Sequence, residues 1–550
     1  MVGVKKPVNI FRLKDLSEPR EVFNWHLWLA VASFGLMGIA RGIDEGLISG
    51  SFNSTDFQKY IHFDSYSKDE QTNIKGNVTA MVQIGSVGGA LISFLICDRI
   101  GRIWATRQLC ILWILGIAIF VGNGGKLSAI YAGRFIAGLG IGQTVVVAPV
   151  YLAEIAPASI RGICTCVFTG FTYIGIVLAY FSNYGCQIHM GENTHKRWLV
   201  PTSLHIIFAG LILFLSLFQQ ESPRFLIKRN QFEKAASTLA TLRNLPRNHE
   251  FVVAEVNDIQ ASHEAEMEAS TGAGPIGVLR EAFKPTNFYR LYLSCGGQIL
   301  SHWSGAGSIT VYAPDLIKLL GFTGTNQNLL LTAIFGIVKL VAAILCTFFL
   351  VDYIGRKRSL LIGITLQAIS MVYVAGFLTG VPEIGAEEGF SLSESQKRAS
   401  EGALAMFYIS GFGWALGWNS MQYLLTAELF PLRIRALATS AAMTLHFANQ
   451  YGMSRAVPNM LTPAVEGGIS PHGTFWFFAA MTIIGGIWVW FSIPETAGRT
   501  LESMDRLFDL PWYRIGLHGN ADADRHDGEL HSKIEMSNQG LAQHVERAHV

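Results

Sequence analysis

The chain has 550 residues, 50% of them hydrophobic and only 15% charged, with a mean hydropathy of +0.33. Soluble domains carry about 25% charged residues, so a string of soluble domains is excluded, and the apolar content excludes general disorder. The 42 basic and 40 acidic residues leave a formal charge of +2, too little for a nucleic-acid-binding surface.

Residues 1–24 read as a cytoplasmic N-terminal segment. Met1 to Glu21 is polar and shows no short apolar core ahead of a cleavage site, so the first span is expected to serve as the signal. A span needs about 20 mostly apolar residues. Such segments run near 25–50, 77–97, 108–123, 127–149, 162–182 and 198–218, and again near 289–316, 329–351, 359–380, 402–426, 436–461 and 473–493. The pattern predicts an all-α membrane protein with twelve transmembrane helices. Six form an N-terminal bundle over 25–218 and six a C-terminal bundle over 289–493. Between them, 219–288 is a cytoplasmic linker with short helices: Phe232 to Arg243 has amphipathic spacing, and Val252 to Met267 is acidic. Residues 494–550 form a cytoplasmic tail, expected to be disordered from Pro511 onward.

Basic residues in short loops orient the chain. Arg99, Arg102, Arg107, Arg356, Lys357, Arg358, Arg433 and Arg435 alternate with poorer or acidic loops, so both termini are expected in the cytoplasm of a multi-pass protein. Asn53-Ser54-Thr55 then falls in the first outer loop as a candidate glycosylation acceptor. The seven cysteines show no ligand spacing, and neither a disulfide framework, a metal site nor a cofactor is indicated. Outside the spans there is no nucleophile–base pattern that would mark an enzyme.

Short patterns recur between the halves. Asp98-Arg99-Ile100-Gly101-Arg102 is matched by Asp352-Tyr353-Ile354-Gly355-Arg356. Glu154-Ile155-Ala156-Pro157, with Arg161 seven residues beyond the Glu, is matched by Glu428-Leu429-Phe430-Pro431 with Arg435 at the same offset. Glu221-Ser222-Pro223-Arg224 closes one half and Pro494-Glu495-Thr496 the other. Carboxylates and arginines at helix ends can form charge-assisted pairs. Confined to the cytoplasmic side, such pairs would hold that side shut, which makes Asp98, Arg102, Glu154, Arg161, Glu221, Arg224, Asp352, Arg356, Glu428 and Arg435 a candidate cytoplasmic gate. Taken singly, each is equally an ordinary set of topology-fixing loop charges. Duplicated halves with a site between them fit alternating-access transport.

On these motifs the chain resembles a sugar porter of the major facilitator superfamily. The match is carried by DRIGR at 98–102, GRFIAGLGIG at 133–142, PVYLAEIAPASIRG at 149–162, ESPR at 221–224, DYIGRKR at 352–358, AELFPLRIRA at 427–436 and PET at 494–496. Within the family it is most similar to the fungal quinate-permease-like branch, through EVFNWHLWLA, WSGAGSITVYAP at 303–314, IFGIVK at 334–339 and LESMDRLFD at 501–509. The resemblance implies two pseudo-symmetric six-helix bundles around a central site and action as a monomer in the plasma membrane.

Asp44 lies inside the first span, where an acid costs roughly 2.5–3.5 kcal/mol unless it meets a cavity or a partner. Arg134 in the fourth span is the available partner. A carboxylate that alternately holds a proton and pairs with an arginine can couple proton flow to conformational change, and the resemblance implies this role, since proton symporters of the family carry an acid and an arginine here. A static ion pair is the alternative. Glu45 is about 100° round the helix from Asp44 and is expected to be an interfacial residue.

Sugar-binding relatives are expected to line the cavity with amides and tryptophans, whereas this chain has Thr169 in span five, Ser301, His302 and Gly307 in span seven, Tyr423 in span ten, and His446 and Phe447 in span eleven. Tyr312 keeps an aromatic hydroxyl, Lys339 replaces an Asn in span eight, and Arg41 lies three residues before Asp44. A buried cation needs an anion, and a substrate carboxylate would supply it while Thr169, Ser301, His302, Tyr312 and His446 read hydroxyls. The expected substrate is therefore a polyhydroxylated acid, quinate or a uronate such as galacturonate, taken up with one proton. Alternatively, Arg41 pairs with Asp44 or Glu45, Lys339 is kept neutral by burial or bonds backbone carbonyls, and His302, His446 and Phe447 are packing residues. A hexose or pentose carrier, or a non-transporting nutrient sensor, is the competing function.

Overall fold

The computed structural model describes residues 18–157, 160–191, 194–270, 275–346, 354–382, 392–419, 429–430, 432–464, 467–495, 507–508 and 510–517. Helix starts follow local capping chemistry. Asn24 Oδ1 accepts from the amides of His26 and Leu27 at 2.8 and 3.2 Å to begin α1 (Trp25–Gly35), which runs through Leu36 into α2 (Met37–Phe52). After α3 (Thr55–Tyr60), Ser67 and Glu70 form a capping box that opens α4 (Lys68–Ile100). The first half continues with α5 (Arg102–Val121), α6 (Leu127–Ile155), α7 (Arg161–His189) and α8 (Lys196–Leu215).

The linker holds α9 (Pro223–Lys228), α10 (Phe232–Arg243), α11 (Glu250–Ser270) and α12 (Pro275–Ala282). The amphipathic helix has the bounds read from its periodicity, and the acidic one is longer at both ends. Arg243, a charged residue closing an amphipathic helix, is nonetheless fully buried. It donates to Ile155 O at 2.9 Å and grips both oxygens of Glu255 at 2.9 and 2.6 Å, which pins α10 and α11 to the end of α6.

The second half begins with a broken helix: α13 (Pro285–Trp303), α14 (Ala306–Val311) and α15 (Ala313–Leu319). The break falls at Gly305, whose φ of +83° favours glycine and where a Cβ would lie 2.5 Å from the Phe478 ring. There follow α16 (Thr325–Leu345), α17 (Arg356–Gly380), α18 (Glu394–Trp414) running into a π-helical turn over Ala415–Asn419, α19 (Leu432–Met460) and α20 (Ser470–Ser492). The described parts of the expected spans coincide largely with these helices or their broken pieces, the ends of 329–351 and 402–426 lying outside the described residues, and eight described helical segments are long and apolar enough to cross a membrane. The last described element, α21 (Trp512–Ile515), corrects the expectation of disorder from Pro511. Ile515 is buried, and Gly516 O accepts from Lys357 Nζ at 2.7 Å, because this apolar turn covers the second half's core.

Helix packing runs both within and between the two halves. In the first half α2 packs on α7, α4 and α5 on α6, and α5 on α8; in the second, α13 packs on α19 and α20, α17 on α18 and α20, and α16 on α18. A Cβ at Gly85 would approach Phe135 O to 2.2 Å and one at Gly138 would approach Val82 O to 2.3 Å, so these glycines let α4 and α6 touch backbone to backbone. The halves meet where α4 crosses α19 and α7 crosses α16.

Candidate functional site

Arg134 Nη1 donates to Asp44 Oδ1 at 2.7 Å, and both side chains are buried. The same guanidinium donates to Val78 O at 3.1 Å and Thr79 O at 3.4 Å, so one side chain on α6 holds α2 and α4. This pair faces the interior of the first half. Neither member lines the space between the halves.

That space is a small cavity of about 30 Å³ into which several charged and polar side chains reach. Arg41 and Glu45 reach it from α2, Thr169, Thr172 and Tyr173 from α7, His302 from α13, Gly307 and Thr310 from α14, Lys339 from α16, Trp414 and Asn419 from α18 and its π turn, and Gln450 from α19. Irregular backbone at membrane depth is tolerated where it borders such a space, and the α13–α14 break supplies three of its residues. Arg41 Nε lies 2.8 Å from Glu45 Oε1, and Gln450 Nε2 donates to the same oxygen at 3.1 Å across the boundary between the halves. Lys339 Nζ donates to Thr310 Oγ1 and sits 5.5 Å from the centres of both the Tyr173 and Phe335 rings. Among the described residues no carboxylate forms an ion pair with Lys339.

Of the residues expected to contact substrate, Arg41, Thr169, His302 and Lys339 line the cavity. Ser301, Tyr312, His446 and Phe447 do not, and their placement is a correction. Ser301 donates to Gln298 O at 2.9 Å within its own helix, and Tyr312 donates to Ser454 O at 2.6 Å. His446 is buried beside Gln298 and His302, at 2.9 and 3.0 Å. Phe447 packs among first-half residues, with the Arg41 guanidinium 5.9 Å from its ring centre. Tyr423 lies outside the described residues. Glu45 is not a peripheral interfacial residue but the cavity's carboxylate, because α2 turns Arg41 and Glu45 to one side and Asp44 to the other. Thr172, Tyr173, Trp414, Asn419 and Gln450 were not anticipated. The first two lie one helical turn beyond Thr169, a signal the spacing carried.

The matched motifs build matched corners. Gly101 and Gly355 have φ of +92° and +95°. Glu221 accepts from the amides of Arg102 and Ile103 at 2.9 and 3.2 Å, and Glu495 accepts from those of Arg356 and Lys357 at 2.8 and 3.1 Å. A carboxylate thus caps α5 in one half and α17 in the other. Arg102 pairs with Glu154 at 2.7 Å and Asp98 at 3.0 Å. These contacts stay within a half, and among the described residues Arg224 has no ion pair. Asp352 and Glu428, and the side chains of Arg161 and Arg435, lie outside the described residues. Besides the Glu45–Gln450 and Tyr180–Thr310 bonds at the cavity, polar links between the halves occur at the opposite end, where Lys75 meets Asp315 at 2.8 Å and Arg455 meets Asn73 at 2.6 Å. Asn53, a half-buried turn residue, is held there too, its amide donating to Asp315 at 3.0 Å.

Two helical halves enclosing a charged cavity define a membrane transporter of the major facilitator fold. The backbone superposes on the proton:xylose symporter XylE bound to 6-bromo-6-deoxy-D-glucose with a TM-score of 0.71, at 23% identity over 88% of this chain and 99% of that one. For the partially occluded inward-open xylose transporter XylE from E. coli the TM-score is 0.68, at 22% identity over 87% and 100%. The model of the sugar (and other) transporter family matches residues 28–508, and the chain belongs to that family. It is 32% identical to the quinate permease of Emericella nidulans, over 90% of this chain and 91% of that one, and 30% identical to a probable quinate permease of Aspergillus niger, over 96% of each.

Proposed function

We propose that the chain carries a polyhydroxylated carboxylic acid, quinate or a uronate such as galacturonate, together with a proton, across the plasma membrane by alternating access. The observation that carries the reading is Lys339: a buried ammonium facing the cavity beside an Arg41–Glu45 pair that cancels itself, so that the cavity keeps one excess positive charge. A monoanion would neutralise it, and Thr169, His302, Asn419 and Gln450 offer hydrogen-bonding groups for hydroxyls. Two relatives named quinate permease support the choice of acid. Basic loops favour a cytoplasmic Arg102 corner and an outer Lys75–Asp315 contact, so the cytoplasmic gate would work by parting corners braced within each half.

Proton coupling is assigned to Asp44 and Arg134. Their pair is buried and close, and protonating Asp44 would release Arg134 to the Val78 and Thr79 carbonyls it already touches. One proton carried with one monoanion is electroneutral, so the membrane potential would not oppose uptake. The test is uptake of labelled quinate, galacturonate and glucose by transporter-deficient yeast expressing the chain, with external pH recorded. Acid uptake with alkalinisation, lost in Lys339→Asn, is expected. Glucose uptake without alkalinisation, unaffected by Lys339→Asn, would sink the reading.

A further inference from the structure

Glu45 is an anion already inside the cavity that would have to receive one. Its Oε1 atom takes both Arg41 Nε and Gln450 Nε2, so a single carboxylate oxygen ties a first-half ion pair to α19 of the second half. Arg41 reinforces the tie by lying over Phe447 of the same helix. Gln450 is buried, and its Oε1 has no partner among the described residues, although the side chain lines the cavity. The amide therefore gives its donor to Glu45 and keeps a buried acceptor without a partner among the described residues, on a side chain that lines the cavity. Leaving such an acceptor unmade is costly, so it marks a position a hydroxyl can occupy with gain.

Resting on the acid-substrate reading, we propose that Glu45 is a resident competitor: the substrate carboxylate displaces it from Arg41, and its departure also frees the Gln450 tie between the halves. Charge balance favours the exchange. The empty cavity holds Arg41 and Lys339 against Glu45 alone, while the loaded cavity holds two cations against two carboxylates. A neutral polyol brings no carboxylate and leaves the tie in place, so Glu45 separates acids from neutral sugars as well as linking binding to movement of the halves. A tethered carboxylate competes at high effective concentration, and removing it strengthens binding of the free one.

The test is displacement of labelled quinate from yeast membranes containing the full chain, by unlabelled quinate and by its uncharged methyl ester. In Glu45→Gln the half-inhibitory concentration of quinate is expected to fall about tenfold while that of the ester barely moves, the tenfold corresponding to about 1.4 kcal/mol. Arg41→Gln is expected to weaken quinate relative to the ester, and Arg41→Gln with Glu45→Gln together to return the ratio towards the wild-type value. Parallel shifts of acid and ester in Glu45→Gln, or an unchanged ratio, overturn the proposal. If Glu45→Gln fails to accumulate, an unchanged ratio in Arg41→Gln overturns it equally. Wild-type membranes that bind no quinate, or prefer the ester, overturn the acid-substrate reading instead, so the two failures are distinct.

Discussion

Lys75 Nζ stands 2.8 Å from Asp315 Oδ1, joining α4 of the first half to α15 of the second at one end of the molecule. Asn53 fills the same contact from α2's end, with Lys75 3.4 Å from its carbonyl oxygen. At the other end the described ion pairs stay within a half or join it to the linker. The described conformation is therefore held between its halves by polar groups at the end proposed to lie outside and, at the cavity, by the Glu45–Gln450 and Tyr180–Thr310 hydrogen bonds.

Breaking that contact should shift the conformational equilibrium. The pair is about a fifth exposed, so its worth is at most about 1 kcal/mol, or up to about fivefold in population. Lys75→Ala is expected to raise labelling of a cysteine introduced at Thr310 by an impermeant maleimide, and the exchange Lys75→Asp with Asp315→Lys to reverse it. Unchanged labelling would show that the contact does not set the equilibrium.

Asp44→Asn should abolish concentrative uptake while leaving substrate exchange intact, since the amide keeps a bond to Arg134 but cannot cycle a proton. Arg134→Gln should do more damage. Deleting one partner of a buried pair leaves a lone charge at a cost of about 3–5 kcal/mol. Detergent-solubilised protein should melt lower in Arg134→Gln than in the double substitution with Asp44→Asn, and equal melting would contradict the burial argument.

Gly101→Ala and Gly355→Ala should both destabilise, because each position combines positive φ with a carboxylate over the site of the new Cβ. That Cβ would lie 2.3 Å from Glu221 Oε2 in the first case and 2.8 Å from Glu495 Oε2 in the second, so Gly101→Ala should be the worse. Strain alone suggests about 1–3 kcal/mol. Melting temperatures of both variants check the order.

Asn53 should be found unmodified. A glycan on its Nδ2 would displace the atom bonded to Asp315 and crowd Lys75. Endoglycosidase treatment and Asn53→Gln are both expected to leave electrophoretic mobility unchanged, and a shift in either would mean this contact opens during synthesis.

Span positions, the duplicated halves, the linker helix at Phe232–Arg243 and the Asp44–Arg134 partnership were legible in the sequence. Each depends on local length, composition or the cost of a charge in an apolar segment, and a lone intramembrane acid offers few partners. The membership of the cavity was not. Lipid and protein interior are both apolar, so hydropathy does not reveal which face of a transmembrane helix turns inward, and residues 100° apart such as Asp44 and Glu45 compete for the same role. Only the rotation of α2 against α7 and α19 sent Asp44 towards Arg134 and Glu45 towards the cavity. Likewise Glu221 and Glu495 read as partners for arginines, yet positive-φ glycines exposed helix amides that bind a carboxylate with two donors at once. The sequence by itself determined that helices would span and repeat. Tertiary packing decided which charges meet, because pairing depends on distances between segments far apart in the chain, 90 residues for Asp44–Arg134 and 240 for Lys75–Asp315.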